Sequence, residues 1–438
     1  MPKTVVIGAG SWFGISLCVD LLSHEALREG KFALVDISKE RAEYVATYAK
    51  RAAKQIGCNI DISWTTDRRE ALPDADFVVT SFHIGGPAYS GKPYYYDIEI
   101  PNRYGIYQQV GDTIGPGGVA RFLRTMPVFS EMLRDTEELA PRAYVLNYVN
   151  PMSMLTWAAN DAHGLPSIGL CHSVQGGARE LSKLAGVPLK DFRYTCAGIN
   201  HMGWFVECKT AAGDDLYPKI KEAARADEKF LAQNRTRCEL MFNFGAYPAE
   251  GPSHHSEYYP YFRKSEQAQA HYGLVGAKQV DPEGASYHDK RWHSDEMQAK
   301  LRGEQLIDLS PSHEYASQIM NSIVTGIPSR VHGNVKNNGG LIENLPKDCV
   351  VEVPCLVDEN GWHGCTVGTL PSQLAALNLA HISVHRLAVE AWKERSREKA
   401  IQAMMLDPLT AAVCTMDSAR AMANELLDSQ PELLGYLR

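Results

Sequence analysis

Thr4-Val5-Val6-Ile7-Gly8-Ala9-Gly10-Ser11 is a short apolar run that passes directly into a glycine-rich turn. A helical stretch from Phe13 to Ser23 and a second apolar run, Phe32-Ala33-Leu34-Val35-Asp36, follow it. Strand, turn, helix and strand in this order indicate a βαβ unit. Further apolar runs alternate with helical stretches as far as Leu170. The chain is therefore predicted to be an α/β protein whose parallel sheet is covered by helices on both faces.

The glycine turn has the spacing of a dinucleotide-binding site. Gly8 and Gly10 follow the first strand, and Gly14 lies one position later than the usual third glycine. Such glycines let the backbone approach a pyrophosphate, whose charge the helix N-terminus stabilises. Asp36 ends the next strand, where it would bind the adenosine ribose hydroxyls and repel a 2′-phosphate. The pattern predicts NAD rather than NADP, and a tight structural turn is the alternative.

Polar residues also follow other predicted strands, where ligands bind in open α/β sheets. These residues are His83 with Gly85, Asn150, Cys171 with His172, and His201. A thiolate and an imidazole can bind a divalent cation together. On spacing alone, however, a buried cysteine and an ordinary histidine are the better interpretation of that pair.

A second concentration of reactive residues is Ser253-His254-His255-Ser256-Glu257-Tyr258-Tyr259-Pro260-Tyr261-Phe262. It combines possible bases, metal ligands and aromatic rings that could stack on a sugar. A packed aromatic loop fits the same composition equally well. Composition alone does not separate these two interpretations.

Composition narrows the class of partner. The 438 residues are 45% hydrophobic and 22% charged, with a formal net charge of −8 and a pI near 6.0. This balance disfavours nucleic acid and acidic membrane surfaces as partners, and no run approaches the roughly 18 to 20 apolar residues of a membrane span. Met1-Pro2-Lys3 leads straight into the first strand, and the ten cysteines are scattered, so we expect a cytoplasmic protein.

The pattern changes at about Tyr194 to longer alternating strands and to loops rich in Tyr, His and Glu. We therefore expect a Rossmann-like domain over 1–193 and a second, α+β domain over 194–438. Within the first, the glycine-dense loop 111–118 is expected to lead into a helix from Val119. In the second, Ser372 is a plausible N-cap of the last large helix.

Several ordered blocks of the chain resemble one known family. The blocks are Val6-Ile7-Gly8-Ala9-Gly10-Ser11, Ile84-Gly85-Gly86, Asp112-Thr113-Ile114-Gly115-Pro116-Gly117-Gly118, Leu146-Asn147-Tyr148-Val149-Asn150-Pro151-Met152, Gly169-Leu170-Cys171-His172-Ser173-Val174-Gln175-Gly176, Cys196-Ala197-Gly198-Ile199-Asn200-His201-Met202, Gly333-Asn334-Val335 and Val351-Glu352-Val353-Pro354. Together they resemble the NAD- and manganese-dependent glycosidases of glycoside hydrolase family 4, and most closely the α-galactosidase branch. The resemblance covers essentially the whole chain.

The resemblance implies a fold like that of lactate and malate dehydrogenases, NAD and Mn²⁺ as cofactors, a small glycoside as substrate, and a homodimer or homotetramer. It also implies cleavage by elimination, an exception to two-carboxylate hydrolysis. Hydride passes from the sugar's C3 to NAD⁺, and the C2 proton is removed. The bond from C1 to oxygen then breaks, water adds, and the hydride returns, so no net oxidation occurs.

Carried onto this chain, the resemblance assigns roles to individual residues. It makes Cys171 and His201 the metal ligands, Tyr258 the base at C2, Asn150 a sugar-binding residue and His172 a sugar-binding residue or leaving-group acid. The residues expected at the cofactor, from the glycine motif and the strand ends together with the resemblance, are Gly8, Gly10, Ser11, Asp36, His83 and Gly85.

Two alternative functions are open. An α-galacturonidase or α-glucuronidase of the same family would need a cation facing C5 of the sugar. The candidates for that cation are Lys92, Arg103, Arg263 and Arg291. An NAD-dependent dehydrogenase of the lactate or malate type would share the cofactor domain and would oxidise its substrate with net accumulation of NADH.

Overall fold

The computed structural model describes residues 1–85, 91–283, 287–312 and 314–438. Its strands form one sheet with two halves. The strands are β1 (Lys3–Ile7), β2 (Lys31–Val35), β3 (Asp61–Thr65), β4 (Phe77–Thr80), β5 (Tyr144–Asn147), β6 (Ser167–Gly169), β7 (Arg193–Ile199), β8 (Met202–Lys209), β9 (Tyr247–Pro248), β10 (Ser329–Lys336), β11 (Val350–Asp358) and β12 (Gly361–Gly364).

Helices cover both faces of the sheet and form most of the remaining structure. The helices are α1 (Trp12–Ser23), α2 (Lys39–Ile56), α3 (Arg68–Ala71), α4 (Lys92–Arg103), α5 (Gly115–Leu139), α6 (Met152–Ala162), α7 (Ser173–Leu184), α8 (Tyr217–Ala226), α9 (Glu228–Gln233), α10 (Arg235–Phe244), α11 (Pro252–His255), α12 (Glu266–Tyr272), α13 (Tyr287–Trp292), α14 (Asp295–Arg302), α15 (Tyr315–Thr325), α16 (Ser372–Glu394), α17 (Arg397–Leu406), α18 (Pro408–Val413), α19 (Met416–Asp428) and α20 (Pro431–Leu434). Short 3-10 turns lie at Glu25–Leu27, Leu189–Asp191 and Ser256–Tyr258.

The first half of the sheet is parallel and has the strand order β3-β2-β1-β4-β5-β6. This confirms the predicted Rossmann-like fold. Val5 and Val6 are fully buried in the centre, because a strand with neighbours and helices on both sides favours a continuous apolar run. The order reverses between β1 and β4, and a dinucleotide binds across the crevice at such a point.

The second half continues the same sheet with antiparallel strands in the order β10-β11-β7-β8-β9. It joins the first half where Asn334 of β10 pairs with Gly169 of β6. Helices α16, α17 and α19 pack on α5 of the first half, so the two halves share a large apolar core. The predicted domain boundary at 193/194 falls at the start of β7.

Two local predictions were wrong. Helix α5 begins at Gly115 rather than Val119, because Pro116 has a φ suited to the first turn of a helix. Ser372 is the first residue of α16 rather than its cap, which is Pro371. No helix in the described part of the chain combines the length and apolar character needed to cross a bilayer.

Candidate active site

The glycine turn between β1 and α1 leaves no room for side chains. Gly8 has a φ of +84°, and a Cβ atom there would lie 2.2 Å from the carbonyl oxygen of Ser81. A Cβ atom at Gly10 would lie 2.6 Å from Oδ2 of Asp36. Ser11 is the N-cap of α1, where its side chain accepts a hydrogen bond from the amide of Gly14. The turn thus has the close backbone packing that a bound pyrophosphate requires.

Asp36 lies at the carboxyl end of β2, beside this turn. Its Oδ2 accepts the amide of Gly10 at 2.8 Å and its Oδ1 accepts the amide of Ser38 at 2.9 Å. These two bonds fix the carboxylate and leave each oxygen a further acceptor position for a ribose hydroxyl. Ile37, the next residue in the chain, is 97% exposed and offers an apolar surface at the carboxyl end of β2. The residues present therefore fit the adenosine half of NAD.

Replacing Gly10 with alanine tests this fit. We expect Gly10→Ala to weaken NAD binding by at least about tenfold, because the methyl group displaces the Asp36 carboxylate and fills space beside the pyrophosphate. The measurement is the Kd for NADH from its fluorescence. Gly164→Ala is the control, since Gly164 is not in a left-handed conformation and a Cβ atom there would meet only Oε1 of Glu137, at 3.9 Å. An unchanged Kd in Gly10→Ala would place the cofactor elsewhere.

His83 and Gly85 follow β4, on the other side of the crevice. Burial, and then the charges of Arg121 and Arg124, hold the pKa of His83 well below its usual value. Neither ring nitrogen of His83 has a hydrogen-bond partner among the described residues. Gly85 faces Pro93, 2.5 Å from where its Cβ atom would be, which indicates a packing role. Gly86 of the same motif lies outside the described residues.

A three-residue cluster forms the chemical centre of the site. Ligand atoms of Cys171, His201 and Glu250 all lie within 4.8 Å of one another. Cys171 lies in the loop after β6, and His201 lies in the two-residue turn between β7 and β8. The φ of His201 is +61°, a left-handed conformation that costs a non-glycine residue of the order of 1 kcal/mol and is concentrated at functional sites. Glu250 follows the short strand β9.

The charges of the cluster suit a cation. Burial, and then the carboxylates of Glu250 and Glu352, raise the pKa of the Cys171 thiol to about 12. Burial opposes ionisation of Glu250, yet the imidazoles of His201 and His254 lower its pKa to about 2. Thiolate, imidazole and carboxylate are all metal ligands, and three of them leave positions open for substrate oxygens. A bound divalent cation would displace the thiol proton.

Glu250 was not predicted from the sequence. It is a single acidic residue after a two-residue strand, and it meets Cys171 and His201 only through the fold. No spacing signal could have identified it. The pairing of Cys171 with His201, which spacing alone disfavoured, is present in the structure.

Tyr258 lies next to the cluster and is 2% exposed. Its hydroxyl is 3.0 Å from Nδ1 of His201 and contacts the hydroxyl of Thr113. The other ring nitrogen of His201, Nε2, is 3.4 Å from Oε2 of Glu250. The His201 imidazole therefore has Nε2 beside the Glu250 carboxylate and Nδ1 beside the Tyr258 hydroxyl. Burial, and then nearby carboxylates, raise the pKa of Tyr258 well above its usual value.

Asn150 lies at the same edge of the sheet, after β5. Its side-chain amide donates to Oδ2 of Asp112 at 2.8 Å, and Oδ1 of Asp112 is 3.7 Å from Nε2 of His254. Thr113 is 3.0 Å from the same nitrogen of His254. Asp112 and Thr113 belong to the glycine-dense loop before α5, whose composition and place among the blocks of the family resemblance were the sequence signals for a special role.

Glu257 fixes that loop. Its buried carboxylate accepts hydrogen bonds from the amides of Val110 at 2.8 Å and Gly111 at 3.0 Å, and also from the amide of Gln109. These bonds tie the loop of the first half to the segment that carries Tyr258. The loop side chains that contact Tyr258 and Asn150 are thereby held in place.

His172 is paired with an acid that the sequence did not single out. Its Nδ1 is 3.2 Å from Oε1 of Glu314, and this hydrogen bond raises the pKa of His172. The His172 side chain is 74% exposed, so solvent screens part of the interaction. The arrangement favours a protonated imidazole at the mouth of the site.

Each of the four predicted C5-facing cations has another partner in the described part of the chain. The contacts are Lys92 with Glu283 at 3.4 Å, Arg103 with Glu425, Arg263 with the hydroxyl of Ser256 at 2.6 Å, and Arg291 over the ring of Trp12. A different cation, Lys278, lies nearer the site. Its amide donates to the carbonyl of Gln108 at 2.8 Å. Burial lowers the pKa of Lys278, and the carboxylates of Asp112 and Glu257 oppose that shift.

Comparison with known families and proteins gives matches along the whole chain. The sequence profile "Family 4 glycosyl hydrolase" matches residues 3–187, and "Family 4 glycosyl hydrolase C-terminal domain" matches residues 196–410. An alpha-galactosidase of Bacillus subtilis (strain 168) is 37% identical over 439 residues, which cover 99% of both chains. An alpha-galactosidase of Rhizobium meliloti (strain 1021) is 34% identical, with 99% of this chain and 89% of the relative covered. An alpha-galacturonidase of Lachnoclostridium phytofermentans is 29% identical, covering 98% and 95%.

Solved structures share the fold. A 6-phospho-alpha-glucosidase from gut microorganisms, solved in complex with NAD and Mn²⁺, has a TM-score of 0.80 and 23% identity and covers 99% of each chain. A malate dehydrogenase of Plasmodium falciparum has a TM-score of 0.53 and 12% identity, with 92% of this chain and 100% of the other covered. The predicted dehydrogenase-like architecture is therefore confirmed.

Proposed function

Because the chain belongs to family 4 of the glycosyl hydrolases, we propose that it cleaves α-galactosides with NAD and Mn²⁺ as cofactors. The observation that carries this proposal is the cluster of Cys171, His201 and Glu250 with the hydroxyl of Tyr258 beside it. The similarity to two alpha-galactosidases along almost the whole chain supports the substrate class.

The residues described above would form the two cofactor sites. Gly8, Gly10, Ser11 and Asp36 would hold NAD, with His83 and Gly85 on the far side of the crevice. Cys171, His201 and Glu250 would hold Mn²⁺. When bound, NAD⁺ supplies an acceptor for the hydride at the sugar's C3, and Mn²⁺ supplies positive charge beside O2 and O3.

Tyr258 removes the proton at C2 in this proposal. The hydroxyl of Thr113 and the Nδ1–H of His201 both lie where they can donate to a phenolate oxygen, which stabilises the ionised base. Positive charge at the neighbouring cluster would lower a phenol pKa that burial alone raises. The buried position of the ring also keeps water away from the reacting atoms.

Asn150 and His172 act on the sugar and on its leaving group. The Asn150 amide is oriented by Asp112, so that its remaining donor and its carbonyl can bind a sugar hydroxyl. His172, kept protonated by Glu314, would give its proton to the departing oxygen as the bond to C1 breaks. Both assignments follow from the family resemblance and from the positions of these side chains.

One observation favours a uronide as the second candidate substrate. Like the four cations first proposed for a C5 carboxylate, Lys278 has a partner, since its ammonium lies 5.3 Å from the ring centroid of Tyr94. It differs from them in lying beside the loop that carries Asp112. In an α-galacturonidase, the ammonium group of Lys278 would bind the carboxylate of the sugar. The similarity to an alpha-galacturonidase supports this alternative, at a lower sequence identity than that to the two alpha-galactosidases.

The test is release of nitrophenol from p-nitrophenyl α-galactoside under reducing conditions, with and without NAD⁺ and Mn²⁺. We expect release only when both are present, without accumulation of NADH. The same assay with p-nitrophenyl α-galacturonide distinguishes an α-galacturonidase from an α-galactosidase. NADH accumulation with any sugar would instead indicate a dehydrogenase, and the proposal would then be wrong.

We also propose a cytoplasmic location and a homodimer or homotetramer. All ten cysteines are free in the structure, as is usual in a reducing compartment. The oligomer follows from the family resemblance. Light scattering of the purified protein measures it directly.

A further inference from the structure

Helices α13 and α14 come from the second half of the chain but lie on the cofactor half. Trp292, the last residue of α13, is 1% exposed. Its Nε1–H donates to the carbonyl oxygen of Gly10 at 3.2 Å. Its ring stacks on Tyr44 of α2, with 5.6 Å between centroids, and packs at 5.9 Å from Trp12. Trp292 therefore contacts the glycine turn itself.

The end of α14 and the segment after it are also hydrogen-bonded to α2. Nη2 of Arg51 donates to the carbonyl of Arg302 at 3.0 Å. The side chain of Gln55 makes two bonds with the backbone of Ile307, both of 3.0 Å. These bonds hold the α13–α14 segment on the outside of the cofactor half rather than leaving it as a free loop.

Arg291 brings a positive charge to this place. Its guanidinium lies 3.3 Å above the ring centroid of Trp12, which is the first residue of α1. Among the described residues no carboxylate forms a salt bridge with Arg291, although Glu296 is near enough to interact with it electrostatically, and the Arg291 side chain is exposed. The guanidinium of Arg291 thus lies against the first residue of the helix toward whose N-terminus a pyrophosphate would be drawn.

We propose that Arg291 binds the pyrophosphate of NAD and that Trp292 holds it there, so that the α13–α14 segment retains the cofactor between turnovers. This inference rests on the proposed function, in which the hydride returns to the sugar in each cycle. A cofactor that ends each cycle in its starting state need not leave the protein. Slow dissociation would then cost nothing in turnover, whereas a dehydrogenase must exchange its cofactor every cycle.

The test measures NADH binding and release by the whole protein without any sugar. NADH fluorescence gives the Kd, and displacement by excess NAD⁺ in a stopped-flow instrument gives the dissociation rate. For Arg291→Ala we expect both to rise about tenfold, the effect of losing one charge-assisted contact. Arg291→Lys should be intermediate, because it keeps the charge and loses the planar fork.

Lys290→Ala is the matched control, since Lys290 is exposed on the same helix and its loss changes the net charge equally. We expect its Kd and dissociation rate to equal those of the wild type. Trp292→Phe, which keeps an aromatic ring but cannot donate to Gly10, should speed release while the circular dichroism spectrum stays unchanged.

Equal NADH dissociation in Arg291→Ala and Lys290→Ala would overturn this inference alone, provided that the wild type binds NADH. A wild type that fails to bind NADH would overturn both this inference and the cofactor assignment. A wild type that binds NADH and releases no nitrophenol would contradict the proposed glycosidase activity and leave the Arg291 measurement valid.

Discussion

Tyr258→Phe is expected to lower kcat on an aryl α-galactoside by about 10²- to 10⁴-fold, the usual contribution of a positioned general base. The substitution removes only the hydroxyl that contacts Thr113 and His201, and the ring keeps its packing. KM and Mn²⁺ affinity should change much less than kcat, because the metal ligands stay in place. Steady-state kinetics at saturating NAD⁺ and Mn²⁺ measure the effect.

Tyr259→Phe is the control for this prediction. Tyr259 is also fully buried, and its hydroxyl has no hydrogen-bond partner among the described residues. Removing it deletes the same atom from the adjacent ring at little energetic cost. If the two variants had equal kcat, the base would have to be another residue.

Cys171→Ser should lower Mn²⁺ affinity by more than about 100-fold. Loss of a residue that only supports a ligand already costs 10- to 100-fold, and a hydroxyl is a far poorer ligand than a thiolate. Titration of free Mn²⁺ by electron paramagnetic resonance measures the affinity without reference to catalysis. Glycosidase activity should fall in parallel and return only in part at high Mn²⁺ concentration.

Cys365→Ser is the matched control, because Cys365 is the cysteine described as exposed. Oxidation of Cys171 by peroxide should mimic Cys171→Ser and be reversed by a thiol reductant, provided that it stops at the sulfenic acid or a disulfide. It should be slow in the metal-free protein, where burial raises the pKa of the thiol. Full Mn²⁺ affinity in Cys171→Ser would refute the assignment of Cys171 as a ligand.

Local sequence patterns were sufficient to predict the cofactor half. The βαβ unit depends on contacts within about 30 residues, and Asp36 follows from its place at the end of a strand. The proposed metal site differs, because Cys171, His201 and Glu250 come from three separate connections of the sheet. Thr113 and Tyr258 are 145 residues apart. Only the packed fold brings such residues together, so the family resemblance, rather than spacing, made Tyr258 the candidate base.

The position of the α13–α14 segment could not be predicted from local sequence patterns either. Arg291 was considered as a cation for the sugar because its charge was visible in the sequence. Its position over Trp12 depends on a long-range contact between the two halves of the chain. A charge in a sequence indicates that an anion could be bound, but the identity of the anion depends on where the helix packs.

The three hydrogen bonds that the Glu257 carboxylate accepts from backbone amides have a consequence for incompletely folded chains in the cell. They join loop 109–111 of the cofactor half to the segment beside Tyr258, and the loop amides have this acceptor only when the two halves are docked. A partly folded or proteolytically clipped chain that retained the NAD site would lack an ordered base and sugar site. In the proposed function, hydride transfer is thereby confined to chains that can also remove the C2 proton, so that the oxidised sugar goes on to elimination and is not released as a reactive keto sugar.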